Sequence, residues 1–150
     1  MSECDRPSQN GGVDQIVLAR IDAWVFMAMG AGPLGRTSLT YAMSSLDYLN
    51  RTMPTEAEFE ASVRRLGAAG FMDVSAKGFK QTRKGGAFLK RFGLRAGIIT
   101  VMLSLMEDWD GLAVDAVHPD FDFKLKPGEW QTALEAYEAR WAKRRAKFRK

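Results

Sequence analysis

A mainly α-helical fold, with one small β-hairpin and a helical extension at the C-terminus, is predicted from three observations. Apolar residues recur at helical spacing in several separate segments. Gly- and Pro-containing breaks divide those segments. Two short apolar-flanked runs enclose the Gly-containing turn at residues 75–78, the pattern of a hairpin. The composition, 46% hydrophobic and 27% charged, is that of a globular chain, and 150 residues suffice for one domain with a real core.

Residues 1–12 have almost no apolar content and end in Gly11-Gly12, which predicts a flexible tail. Residues 13–29 read as one helix, with Val17, Ile21, Trp24, Val25 and Ala28 on its stripe. Residues 23–29 are apolar all round, so the end of that helix is expected to be central. The glycines and proline of residues 30–35 stop it, and Thr37 is placed to cap the next helix, whose stripe is Leu39, Ala42, Met43, Leu46 and Leu49. Thr55 and Glu58 then form a capping-box pattern for a helix over residues 55–69, with Phe59, Val63 and Leu66 inward and Gly70 as its left-handed stop. The hairpin spans residues 71–82, and Thr82 caps a helix carrying Phe88, Leu89 and Phe92. Residues 94–107 read as a buried helix, although their β-branched residues also admit a strand, 108–127 as irregular, and 128–150 as a final helix. The organisation expected is a tail (1–12), a helical domain with the hairpin (13–92) and a helical extension ending in a basic amphipathic helix (93–150).

The order helix, turn, helix, hairpin, helix resembles the winged helix-turn-helix superfamily. The resemblance rests on Leu66 followed by Gly70 and Phe71, where a helix turns into a first wing strand, and on Thr82-Arg83-Lys84-Gly85, which opens the helix after the second strand. It covers residues 13–92. It implies that residues 55–69 are the recognition helix and residues 75–78 the tip of the wing. DNA binding of transcriptional-regulator type follows as the expected function, with Thr55, Arg64 and Arg65 facing bases and Lys77, Lys80, Arg83 and Lys84 on phosphates. Winged helix proteins often dimerise through terminal helices, so a homodimer is implied as well.

Two departures from the superfamily pattern stand out. Glu56, Glu58 and Glu60 put three carboxylates at the start of the recognition helix, where a duplex would repel them. They point to the alternative reading, a winged helix that meets a basic protein partner and binds no DNA. Gln81 stands where the second wing strand would turn an apolar residue inward, which predicts a weakly anchored wing.

The final helix carries two signals. Trp130, Leu134, Tyr137 and Trp141 share one face with Phe148, a seam for packing on the domain body or on a second copy. Seven of the last eleven residues are cationic, Lys143, Arg144 and Lys147 among them, more than helix capping requires; a phosphate-binding arm is expected. Residues 1–74 hold six Lys/Arg and nine Asp/Glu, whereas residues 75–150 hold sixteen and nine, so the positive side of the molecule begins at the hairpin.

Little else suggests chemistry. Residues 30–37 fit a phosphate-loop pattern except that Arg36 replaces the lysine, and a helix precedes them where a strand should; a helix–helix turn explains the glycines. One histidine, His118, and one cysteine, Cys4, cannot build a Cys/His zinc site, and Asp120 and Asp122 lack the glycine and glutamate of a calcium loop. No catalytic residue, metal or cofactor is expected. The apolar stretch at residues 98–103 is far short of the ~20 residues of a bilayer span, and the single cysteine without a signal peptide favours a reducing cytoplasm.

Overall fold

The computed structural model describes residues 14–30, 35–90 and 97–149. Its elements are β1 (Gln15–Val17), α1 (Arg20–Met29), α2 (Leu39–Asn50), α3 (Glu56–Ala68), β2 (Met72–Ser75), β3 (Gly78–Gln81), α4 (Arg83–Lys90), α5 (Ile98–Trp109), β4 (Ala113–Asp115) and α6 (Glu129–Phe148). The fold is mainly α, with a two-stranded antiparallel hairpin and a long C-terminal helix. This arrangement is compatible with a winged helix. The expected tail, most of the glycine-rich break, Phe92 and the start of the segment after Gly93 lie outside the described residues.

α1 is the central element. Every residue from Asp22 to Met29 is buried, as its unbroken apolar surface requires. α2, α3, α5 and β3 all pack against it. Two aromatic clusters fill the space between layers. Phe26, Phe71, Phe88 and Trp109 meet at centroid distances of 5.4–6.3 Å. Phe59 meets Phe79 at 5.6 Å and Trp130 at 5.2 Å, with Phe123 at the edge. Such pairs add ~0.5–1.5 kcal/mol each beyond the area they bury.

Two helix starts differ from expectation. The helix read over residues 13–29 begins only at Arg20, because residues 15–17 form β1 and pair antiparallel with β4, Gln15 opposite Asp115 and Val17 opposite Ala113. Val17, placed on the helical stripe, therefore points to solvent, and Leu18 is buried in its stead. Local hydrogen bonding secures the switch. Leu18 N–H donates to Leu112 O at 2.8 Å, and Asp22 accepts from the Ala19 N–H at 2.8 Å to close the first turn of α1. The same pairing puts a strand into the segment read as irregular.

The other difference concerns Thr37. Ser38 is the N-cap of α2, accepting from Tyr41 N at 3.2 Å. Thr37 forms an isolated antiparallel bridge with Phe79, with N···O distances of 2.7 and 2.9 Å, and its hydroxyl donates to Met29 O. The hairpin is thus sewn to the entry of α2. Thr82 does cap α4, accepting from Gly85 N while donating to Gly70 O.

α5 buries Met102, Leu105, Met106 and Trp109 and leaves Ile98, Ile99 and Leu103 exposed, so the helix expected there is buried on one face only.

Candidate nucleic-acid interface

Three sets of candidate residues were read from the sequence, on α3, on the hairpin and on α6. They sit in very different surroundings.

α3 begins as its capping box dictates. The Thr55 hydroxyl accepts from Glu58 N at 3.2 Å and the Glu58 carboxylate accepts from Thr55 N at 2.9 Å. The two arginines of α3 are turned to internal partners. Arg65 grips the fully buried Asp22 with both guanidinium edges, Nε to Oδ2 at 2.8 Å and Nη2 to Oδ1 at 2.9 Å. That fork fixes α3 to the first turn of α1. Arg64 donates to Phe123 O at 3.0 Å and lies 3.6 Å from Glu60.

The segment at residues 117–125 runs along α3. The Val117 and His118 N–H groups both donate to Ala68 O, at 2.8 and 2.9 Å. Phe121 lies over Gly67 so closely that a Cβ there would stand 2.1 Å from its ring. After Glu58, no residue of α3 is fully exposed. Core on one side and this segment on the other cover much of the helix beyond its first turn, with the Arg64 side chain 41% exposed.

The hairpin is exposed outward and firmly held below. Gly78 takes φ +120°, and a Cβ there would meet Thr37 O at 2.4 Å, so only glycine permits the bridge to α2. Gln81, expected to weaken the anchoring, instead donates its side-chain N–H to Phe26 O at 2.9 Å. A polar side chain does the anchoring because the last turn of α1 leaves carbonyls unpaired within the helix. Arg36 adds an ion pair to Asp73 at 2.8 Å. Lys77 and Lys80 on the hairpin and Arg83 behind it are exposed, and none has an ion pair or side-chain hydrogen bond among the described residues. Lys84 is different: its Nζ donates to Ala69 O at 3.0 Å and lies 5.3 Å from the Phe71 ring centre.

α6 divides at its middle. Trp130, Ala133 and Tyr137 are buried and Leu134 packs beside them, so the first half of the seam is occupied by the domain itself. Tyr137 donates its hydroxyl to Asp47 of α2. Burial first, then that bond and the Asp47 charge, push the Tyr137 pKa up to about 12, against smaller opposite effects of Trp141 and Arg145. From Glu138 onward every described residue is exposed, and Trp141 retains 42% of its surface. Arg140, Lys143, Arg144, Arg145, Lys147 and Arg149 have no ion pair among the described residues. α6 is antiparallel to α2. Tyr137 meets Asp47, whereas Arg140, Trp141 and Arg144 share a groove with Tyr41, Ser44, Ser45 and Tyr48. Its basic end therefore runs toward the start of α2, the end to which the hairpin is bridged.

Sequence reasoning missed Asp22, Arg36 and residues 117–125. Asp22 had a weak signal: it stands beside a run of seven apolar residues, and a carboxylate in such a place is rarely buried without a partner.

No group of three or more His, Cys, Asp or Glu side chains that could hold a metal exists among the described residues. His118 is exposed on a groove that also contains Asp73, Lys80, Arg83 and Asp120. No described helix is long and apolar enough to cross a membrane. Comparison with protein-family models, curated proteins and solved structures finds no match to this chain.

Proposed function

We propose that this chain is a non-enzymatic DNA-binding protein of winged helix type that holds duplex DNA chiefly by its phosphates, through the hairpin and the C-terminal half of α6. One observation carries the reading: Lys77, Lys80 and Arg83 and the cations of α6 beyond Tyr137 are exposed and have no ion pair among the described residues. Lys77, Lys80 and Arg83 supply the wing contacts, and Lys143, Arg144 and Lys147 the arm. Such contacts give affinity and register without base reading. Arg65 is assigned to holding α3, since Nε and Nη2 both bond the buried Asp22, and Arg64 in part, through its Nη1 bond to Phe123 O.

A transcriptional role, a cytoplasmic location and homodimerisation belong to the same reading. The exposed Trp141 and Phe148 would supply the dimer contact, because Trp130, Leu134 and Tyr137 already pack on the domain.

A protein-interaction module is the second reading. The cover over much of α3 and the acid of its first turn favour it, because neither suits entry into a major groove.

Fluorescence anisotropy of a labelled random duplex, titrated with salt, separates the two. The full chain, a truncation after Ala139 and a Lys77/Lys80/Arg83→Ala variant are compared. A steep salt dependence made shallower by both changes is the expected result. Absence of binding at low salt would overturn the proposal in favour of a protein partner.

A further inference from the structure

A second surface, distinct from the hairpin, has its own chemistry. Tyr41, Ser44, Ser45 and Tyr48 recur at helical spacing and share one face of α2. Arg140, Trp141 and Arg144 face them from α6, and the seven residues line an open groove of about 430 Å³. Tyr48 retains 70% of its surface and Trp141 42%, values uncommon for such large rings within an otherwise packed interface. The small serines keep the floor low between the two tyrosines, whose backbone positions are ~10 Å apart along the helix.

The Trp141 ring is held in place. It stands edge-to-face on Tyr137 at 6.4 Å, and Tyr137 is fixed by Asp47. Arg140 and Arg144 bring positive charge to the rim, without ion-pair partners among the described residues, and Lys143 and Lys147 continue it along the helix. Preset aromatic faces bordered by free guanidinium groups suit a ligand that is planar and anionic at short intervals. A strand of unpaired nucleotides has that character; its bases stack on rings while its phosphates meet cations. A duplex does not, because its bases are already stacked on one another.

We propose that the groove between α2 and the second half of α6 is a binding site for single-stranded nucleic acid. Tyr48 and Trp141 stack on bases, and Arg140 and Arg144 neutralise the flanking phosphates. Arg144 and its neighbours Lys143 and Lys147 are shared with the duplex contact proposed above, whereas Tyr48 and the hairpin cations are not, so variants at those positions separate the two surfaces.

Tryptophan emission tests this directly. Trp24, Trp109 and Trp130 are buried, which leaves Trp141 as the one tryptophan a base can reach. Oligothymidine is titrated into the full chain and the emission followed, with anisotropy of the labelled oligomer in parallel. The expected result is quenching on binding. Tyr48→Ala and Trp141→Ala are each expected to weaken oligothymidine binding about fivefold or more, and Tyr48→Ala is expected to leave duplex binding within about twofold. The Lys77/Lys80/Arg83→Ala variant is expected to do the reverse. Tyr48 is exposed, so its removal leaves the core intact even if Trp141→Ala frays α6.

Unquenched emission with oligothymidine bound would overturn the proposal, as would equal losses for single strand and duplex in the Tyr48→Ala variant. A change in sedimentation on Tyr48→Ala, with oligothymidine binding unaltered, would overturn it in favour of a second copy of the chain.

Discussion

α3 and the second half of α6 both carry adjacent arginines, Arg64-Arg65 and Arg144-Arg145, and their surroundings make the two pairs opposites. On α3 one guanidinium is clamped by a buried carboxylate and the other by a backbone carbonyl. On α6 no arginine has an ion pair among the described residues. The cause is position. α3 lies between α1 and residues 117–125, whereas α6 is exposed at every described residue after Tyr137. A polyanion responds to the charge that remains available, and a count along the sequence overstates it where the fold supplies its own acceptors.

The sharpest way to break this comparison is Arg65→Ala. It leaves the buried Asp22 carboxylate without its guanidinium and should cost ~3–5 kcal/mol. A urea midpoint close to that of the parent would mean that α3 is held by packing alone. Arg144→Ala, its counterpart on α6, should leave the midpoint within ~0.5 kcal/mol.

Gly67→Ala tests the other side of α3. In an open helix this change stabilises, but here the added methyl meets the Phe121 ring, so a loss of ~1–3 kcal/mol is expected. Stabilisation would show that residues 117–125 yield easily and that α3 is only lightly covered.

Salt dependence then separates the cations from one another. Removing a single cation from the phosphate backbone should lower the log–log salt slope for duplex binding by ~0.9. Lys77→Ala should show that change, while Lys84→Ala should show less of it, because Lys84 already bonds Ala69 O. Equal changes would place Lys84 among the available charges.

A pH dependence is expected at the boundary between the two halves of α6. The folded Tyr137 pKa, about 12, lies above its ordinary value of 10.0. The neutral phenol is therefore favoured by folding, and its contribution is complete below pH 10 and lost as pH rises through 12. Chemical denaturation across that window should show a decline that is smaller in Tyr137→Phe.

Much of the fold was legible because local patterns and tertiary contacts agree. The capping box at Thr55, the glycine-dependent hairpin and the wholly apolar end of α1 each have the structure their residues favour. Failures came where a distant partner decided. β1 carries a helical spacing, yet β4 recruits it as a strand. Thr37 is a good cap by type, but Phe79 takes its backbone into a bridge. Gln81 finds a carbonyl on α1 that no local pattern announces. The candidate interface was legible in its residue types and much less in their availability. Phe121 and Phe123 look like stray aromatics in an irregular stretch until Gly67 and Arg64 are seen beneath them. The Tyr41/Tyr48 face was accessible from helical spacing alone; its partner on α6 was not.

The pairing of β1 with β4 bears on how the chain is made. Gln15 and Asp115 lie on the order of a hundred positions apart, and such separations slow folding. On a ribosome adding ~5–20 residues per second, β1 waits roughly 5–20 s for its partner strand to be synthesised. Through that interval the α1 face that will receive Met102, Leu105, Met106 and Trp109 is without its cover. The first helix, the hairpin and everything between them can emerge early, but they mature only when the later half arrives. The unit of folding is then larger than the segment that resembles a winged helix.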